Sequence, residues 1–258
     1  MSTNPRIRVR EATPADVDTM VDIHYAAFDD SIMNHLMYPR GISEDSRKKF
    51  AAKILPQPSD GSESAGKKGE SLLYVAEYLP EGAPPDGPGE VVAFAKWLLQ
   101  REQRPEEEWK ADDFTATPET WGEGCDVDVV NAFIGEMTRK QRDHAKGEAA
   151  LYLGILACSP ARQRLGAGSA LVAQGVELAD RLGLPCRVEA SPAGYGLYRK
   201  FGYEDVDVLD LNVTELWGAV NTDGSNWGAN NAIALCGPAP KGVVRSVIMR
   251  RPAKAAVA

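Results

Sequence analysis

A chain of 258 residues, 43% of them apolar and 26% charged, can bury a sizeable core. Its formal net charge of −8 argues against a protein that coats nucleic acid, which needs a basic surface to displace counterions from phosphates. The four cysteines (Cys125, Cys158, Cys186, Cys236) show no C-x-x-C spacing and the three histidines (His24, His35, His144) no ligand spacing, so neither a disulfide framework nor a metal centre is expected.

The N-terminal MSTNPRIRVREATP lacks the apolar core of a signal peptide, and no run of about eighteen apolar residues occurs. The expectation is a soluble cytoplasmic protein with no membrane or nucleic-acid partner. RIRVRE (6–11) alternates Ile7 and Val9 with charges, the period of a half-buried strand. Thr13-Pro14-Ala15-Asp16 then gives an N-cap threonine, proline at the first helical position and an acid three after the cap. In the helix that this starts, Val17, Met20, Val21, His24 and Phe28 share a face. A second helix is expected over 43–55, with Phe50, Ile54 and Leu55 on its apolar side.

The polar, glycine-rich stretch 56–70 reads as a mobile loop. SLLYVAEYL (71–79) and EVVAFAKWLL (90–99) read as a hairpin with a long turn. Residues 100–126 carry Trp109 and Trp121 among charges without a period, and read as a surface insertion. Helical spacing returns over 127–145 through Val129, Val130, Phe133, Ile134 and Met137. LYLGILAC (151–158) is nearly continuously apolar, as in a strand buried on both faces.

Beyond Gly166-Ala167-Gly168, Leu171, Leu178 and Leu182 line one helical side, and Gly183 with Pro185 ends that helix. CRVEAS (186–191) reads as a strand, AGYGLYRKFGY (193–203) as a short helix with its turn, and EDVDVLDLNV (204–213) as an alternating strand. Residues 214–242, rich in Gly, Asn and Trp, read as a loop before a last strand, VVRSVIMRR (243–251). With no repeat and no second composition regime, one domain spanning 1–258, with insertions at 100–126 and 214–242, is the economical reading.

The stretch LACSPARQRLGAGSALV (156–172) puts glycines between a buried strand and a helix. A dinucleotide fingerprint needs a third glycine where Leu171 stands, and a nucleoside-triphosphate loop needs a lysine where Gly168 runs directly into Ser169. What remains is Gln163-Arg164-Leu165-Gly166-Ala167-Gly168, or Q-x-x-G-x-G. On these residues alone two readings stay open. Small residues admit an anion to the free amides of a helix N-terminus, with Arg162 and Arg164 nearby, or they merely let strand and helix pack closely.

Followed in order by an amphipathic helix, a short strand and Leu197-Tyr198-Arg199-Lys200-Phe201-Gly202-Tyr203, this run resembles the GNAT superfamily of N-acetyltransferases, its wording being most similar to fungal members. The resemblance covers 149–203, and 6–28 and 71–99 by pattern; Gly202-Tyr203 departs from the family's usual Gly-Phe. It implies an α/β (α+β) fold, a central mixed, mostly antiparallel twisted sheet of six to seven strands flanked by helices on both faces. It also implies an acetyl-CoA-dependent acyltransferase acting on the amine of a small molecule, as a monomer or homodimer. A non-catalytic acyl-CoA-binding sensor or scaffold and a protein lysine acetyltransferase are the alternatives.

Carried over residue by residue, the amides of Gln163, Arg164, Leu165, Gly166, Ala167, Gly168 and Ser169 would take the cofactor's pyrophosphate. Leu156, Ala157 and Cys158 would pair their backbone edge with the pantetheine arm, with the Leu156 N–H as an oxyanion donor. Tyr198 would be the general acid at the departing thiolate, and Ser191 would hold the cofactor arm or a water. Glu189, ending a short strand at the cleft, is the candidate base for the amine proton, with Glu136 a lesser one. Asp29, Asp30 and Trp97 are candidate acceptor contacts. Cys158 is read as a small apolar residue rather than an acyl carrier, and His24 as a core residue.

Overall fold

In the computed structural model, which describes residues 6–55, 69–84, 86–221 and 225–254, seven strands form one sheet. They are β1 (Ile7–Glu11), β2 (Glu70–Tyr78), β3 (Glu90–Gln100), β4 (Ala150–Cys158), β5 (Cys186–Ala190), β6 (Glu204–Asn212) and β7 (Val243–Arg251). The spatial order is β1-β2-β3-β4-β5-β7-β6, antiparallel throughout except for the parallel pair β4–β5. The helices are α1 (Val17–Ala27), α2 (Ile32–Met37), α3 (Glu44–Ile54), α4 (Glu106–Lys110), α5 (Pro118–Trp121), α6 (Val127–Val130), α7 (Glu136–Ala145), α8 (Ala167–Leu182), α9 (Tyr195–Lys200), α10 (Val213–Trp217) and α11 (Ile233–Cys236). A π turn, Asn131–Gly135, joins α6 to α7. The stretch expected to be a mobile loop lies, over 56–68, outside the described residues.

The chain's first turn shows how local chemistry sets an element. Asp16 accepts hydrogen bonds from the Thr13 backbone N–H (2.7 Å) and hydroxyl (2.8 Å), the reciprocal half of a capping box. Its carboxylate also takes two hydrogen bonds from Arg10 of β1, both 2.8 Å, which ties the strand to the helix start. Pro14–Asp16 forms a 3-10 turn before α1 proper begins. Ser43 caps α3 by accepting from the Ser46 N–H at 3.1 Å.

The sheet is covered on both faces. On one face, Met20 and Ile23 of α1 and Ile54 of α3 bury against Leu73, Val75, Phe94 and Ala157. On the other, Leu171, Val172, Val176 and Ala179 of α8 bury against Ala93, Ala95, Trp97, Leu151 and Leu153. Trp97, a candidate acceptor contact from its place on the hairpin, belongs instead to this core. It is 1% exposed, and its indole fills the space over Gly175, where a Cβ would come 2.1 Å from Trp97 Cζ2.

The segments 100–126 and 214–242 carry short helices that are too brief to show a hydrophobic period. In the first, α5 docks on α3: Lys49 donates to the Pro118 carbonyl at 3.1 Å and Lys53 lies 5.1 Å from the Trp121 ring centre. In the second, α11 is held by Arg245 of β7, which is 2% exposed. Arg245 donates to the Asn231 carbonyl (3.1 Å) and the Gly237 carbonyl (2.6 Å), and makes two 2.7 Å bonds to Asp210. Asn226 of the same segment reaches the Pro192 carbonyl at 3.1 Å, so the segment braces the turn after β5. Among the described residues no helix is long and apolar enough to cross a membrane.

Candidate active site

The site begins with one extra residue in β4. Lys96 of β3 faces Ile155 and Trp97 faces Leu153, which leaves Gly154 as a bulge. A bulge bends its strand, increases the local twist and reverses which side chains face which way. Leu151 and Leu153 pack towards α8; beyond the bulge Leu156 and Cys158 do so, while Ile155 and Ala157 join the α1–α3 face. β4 pairs with β5 only over Leu151–Leu153 and Cys186–Val188. From Gly154 to Cys158 the β5-facing edge of β4 therefore has no ladder partner among the described residues, and the two strands part. Burial on both faces holds only for the first half of β4: Gly154 is exposed and Leu156 half-buried.

The glycine loop lies at the α8 end of this opening. Gln163 is extended (φ −66°, ψ 163°), Arg164 and Gly166 are left-handed (φ 66° and 93°), and α8 starts at Ala167 without a side-chain cap. Alternation of this kind turns successive amides to one side, and the first helical N–H groups add to them. Ala170 is the first residue whose N–H closes onto the loop, to Gly166 O at 2.9 Å.

The two readings of the glycines apply to different residues. Gly166 needs its left-handed backbone and is exposed. Gly168 serves packing: a Cβ there would meet Cys158 Sγ at 3.2 Å, and its N–H is hydrogen-bonded to that sulfur. Arg164 is exposed, whereas Arg162 turns to Glu90, with Nη2 at 2.7 Å from Oε2.

Tyr198 and Glu189 meet at the parting. Tyr198 rises from α9 within the α8-side core, buried, against Tyr203 (ring centres 5.7 Å apart). A Cβ on Gly194 would come 3.0 Å from its ring, so the turn wraps closely around the tyrosine. Burial, with Cys158 and Glu189 nearby, pushes the Tyr198 hydroxyl above its ordinary value. Cys186, Val188 and Ala190 of β5 face α8, which leaves Arg187 and Glu189 on the opposite side.

Tyr152 of β4 donates a hydrogen bond to Glu189 Oε2, while Glu189 Oε1 is buried with no partner. Burial raises the Glu189 carboxyl to about 7, and the Tyr152 hydrogen bond opposes that rise. Burial likewise pushes the Cys158 thiol up to about 11.

The remaining candidates are placed as follows. Ser191 accepts from the Gly194 N–H at 3.2 Å and so caps the turn into α9. Asp29 and Asp30 are exposed where α1 ends. Glu136 is bound to Arg139, which holds its carboxyl below the usual range, and it lies away from the parting on α7. His24 stacks on Phe50 at 4.0 Å between α1 and α3. Tyr203, standing where a phenylalanine is usual, is 1% exposed with its hydroxyl beside Cys186. Sequence reasoning passed over Tyr152 and the Gly154 bulge. The available signal was a tyrosine and a glycine interrupting an otherwise aliphatic strand.

Residues 85–203 match the acetyltransferase (GNAT) family. Among solved structures, the chain resembles mosquito arylalkylamine N-acetyltransferase like 5b, with a TM-score of 0.53 at 16% identity, over 95% of this chain and 99% of that one. A mutant of agmatine N-acetyltransferase in its apo form gives a TM-score of 0.53 at 13% identity, also over 95% and 99%. At such identities the likeness speaks for the fold. The family match spans β3, the bulged strand β4, the glycine loop, α8, β5 and the tyrosine helix, the part of the chain in which β4 and β5 separate.

Proposed function

We propose that the protein is an acetyl-CoA-dependent N-acetyltransferase that moves an acetyl group directly to the amine of a small molecule. One observation carries this reading: Tyr198 and Glu189 stand on opposite faces of the sheet at the place where β4 and β5 part. A proton donor and a proton acceptor thus flank a single opening, as acyl transfer from a thioester to an amine requires.

Acetyl-CoA supplies the activated acetyl group. The residues present suit it: the left-handed Arg164 and Gly166 and the start of α8, which has no side-chain cap, would offer an anion cradle within Gln163–Ser169, and the β4 edge at Leu156, Ala157 and Cys158, without a ladder partner towards β5 among the described residues, would offer hydrogen bonds to an extended amide-bearing arm. The Leu156 N–H is the oxyanion donor in this reading. An amine attacks only when neutral, and Glu189, with a carboxyl near 7, can hold the proton that leaves it. Tyr198, kept protonated by burial, donates to the departing sulfur. Cys158 stays a thiol because burial raises it, which favours direct transfer over an acyl-cysteine. Asp29 and Asp30 would attract a cationic amine from outside. The two structural neighbours are named for small amines, in keeping with this reading.

Calorimetry with acetyl-CoA and with CoA tests the cofactor half. Saturable binding of both is expected, and absence of binding contradicts the proposal. Binding without thiol release to any amine would instead fit an acyl-CoA sensor.

A further inference from the structure

We infer that Tyr152 is a positioning residue for Glu189, pinning one carboxylate oxygen so that the other, Oε1, is held ready for the proton of an incoming amine. The inference rests on the acetyl-transfer reading above and extends it to a residue outside both sequence motifs. The register brings the pair together: Tyr152 lies opposite Arg187 in the last stretch where β4 and β5 still pair, and Glu189 follows two residues later on the same face. The bulge closes over the ring, since a Cβ on Gly154 would lie 3.5 Å from Tyr152 Cε1. The Tyr152 hydroxyl donates to Glu189 Oε2, and Oε1 is sealed from water without a partner.

Buried polar atoms are nearly always paired, so an orphaned carboxylate oxygen needs a reason. Here the reason is that its capacity is reserved for a group delivered into the parting. Among the described residues, the charged or titratable groups that face Glu189 are Tyr152 from β4, Tyr198 from α9, and Arg187 on β5 itself. Arg187 is committed to Glu148 and the His144 carbonyl, which leaves Tyr152 as the side chain that holds the carboxylate. On the β7 side the register neighbour is the apolar Ile248.

A hydrogen bond donated to a carboxylate favours its charged form, so deleting it raises the carboxyl's titration. Tyr152→Phe keeps the ring and removes the donor. Its carboxyl titration can be followed by difference infrared spectroscopy, with Glu189→Gln identifying the signal, beside the pH profile of kcat/KM. The Glu189 titration is expected to move up by about one pH unit, the acid limb with it, and acetyl-CoA affinity to stay unchanged. An unmoved carboxyl titration overturns the inference, as does a uniform loss of rate with the acid limb in place. Failure of the wild-type protein to acetylate any amine overturns the underlying reading instead, and the carboxyl titration, which needs no turnover, tells the two apart.

Discussion

The role proposed for Tyr198 rests on what surrounds it as much as on its own chemistry. The Gly194 turn leaves room for its ring, Ser191 caps that turn, and burial keeps its hydroxyl protonated beside Cys158 and Glu189. Tyr198→Phe preserves this packing and removes only the hydroxyl that carries the proton. It is predicted to lower kcat about 100-fold while calorimetry shows acetyl-CoA affinity within about twofold of the parent; an unchanged kcat would remove Tyr198 from the mechanism. Gly175 makes an opposite kind of demand. Replacing glycine by alanine inside a helix ordinarily stabilises by about 1 kcal/mol. Here the new methyl would meet the Trp97 indole at 2.1 Å in a packed core. Gly175→Ala is therefore predicted to destabilise by about 1–3 kcal/mol in denaturant unfolding, and a stabilised variant would contradict the packing described.

Between elements, the α1–α3 contact carries a pH dependence. His24 stacks on Phe50, and burial lowers its imidazole to about 4, against an ordinary value of about 6.5 in the unfolded chain. The unfolded state thus binds the extra proton first as pH falls. The contribution is fully present above about pH 6.5 and is lost progressively towards pH 4, a change on the order of 3 kcal/mol. His24→Phe retains an aromatic ring at the contact and is predicted to show a shallower loss of stability across that window than the parent. Parallel curves for the two proteins would mean that His24 does not titrate with unfolding. β4 is the other element whose detail matters, because its single extra residue separates a half paired with both β3 and β5 from a half that, among the described residues, pairs with β3 alone.

At the scale of the molecule, what could be read from sequence was what is encoded locally. The Thr13–Asp16 cap, the Gly183 stop, the alternation of β6 and the run of β7 each depend on neighbours along the chain, and each appears within a residue or two of its expected bounds. The glycine loop and the Tyr198 segment were legible because their spacing is fixed by one strand–helix–strand unit. Placement of β7 between β5 and β6 was not legible, since it joins distant segments. Nor was the side to which Trp97 turns, which follows from sheet parity. The helices α4, α5, α10 and α11 are too short to show a period. Tyr152 escaped because its meaning depends on Glu189, 37 residues away. The central claim, acetyl transfer to a small amine through Tyr198 and Glu189, is tested most directly by thiol release from acetyl-CoA across a panel of primary amines, amino acids and polyamines, with mass spectrometry of the products. The account predicts saturable, amine-dependent release matched one for one by acetylated amine and falling progressively as pH drops through about 7 in step with Glu189 protonation; release no faster with any amine than with buffer alone would contradict it.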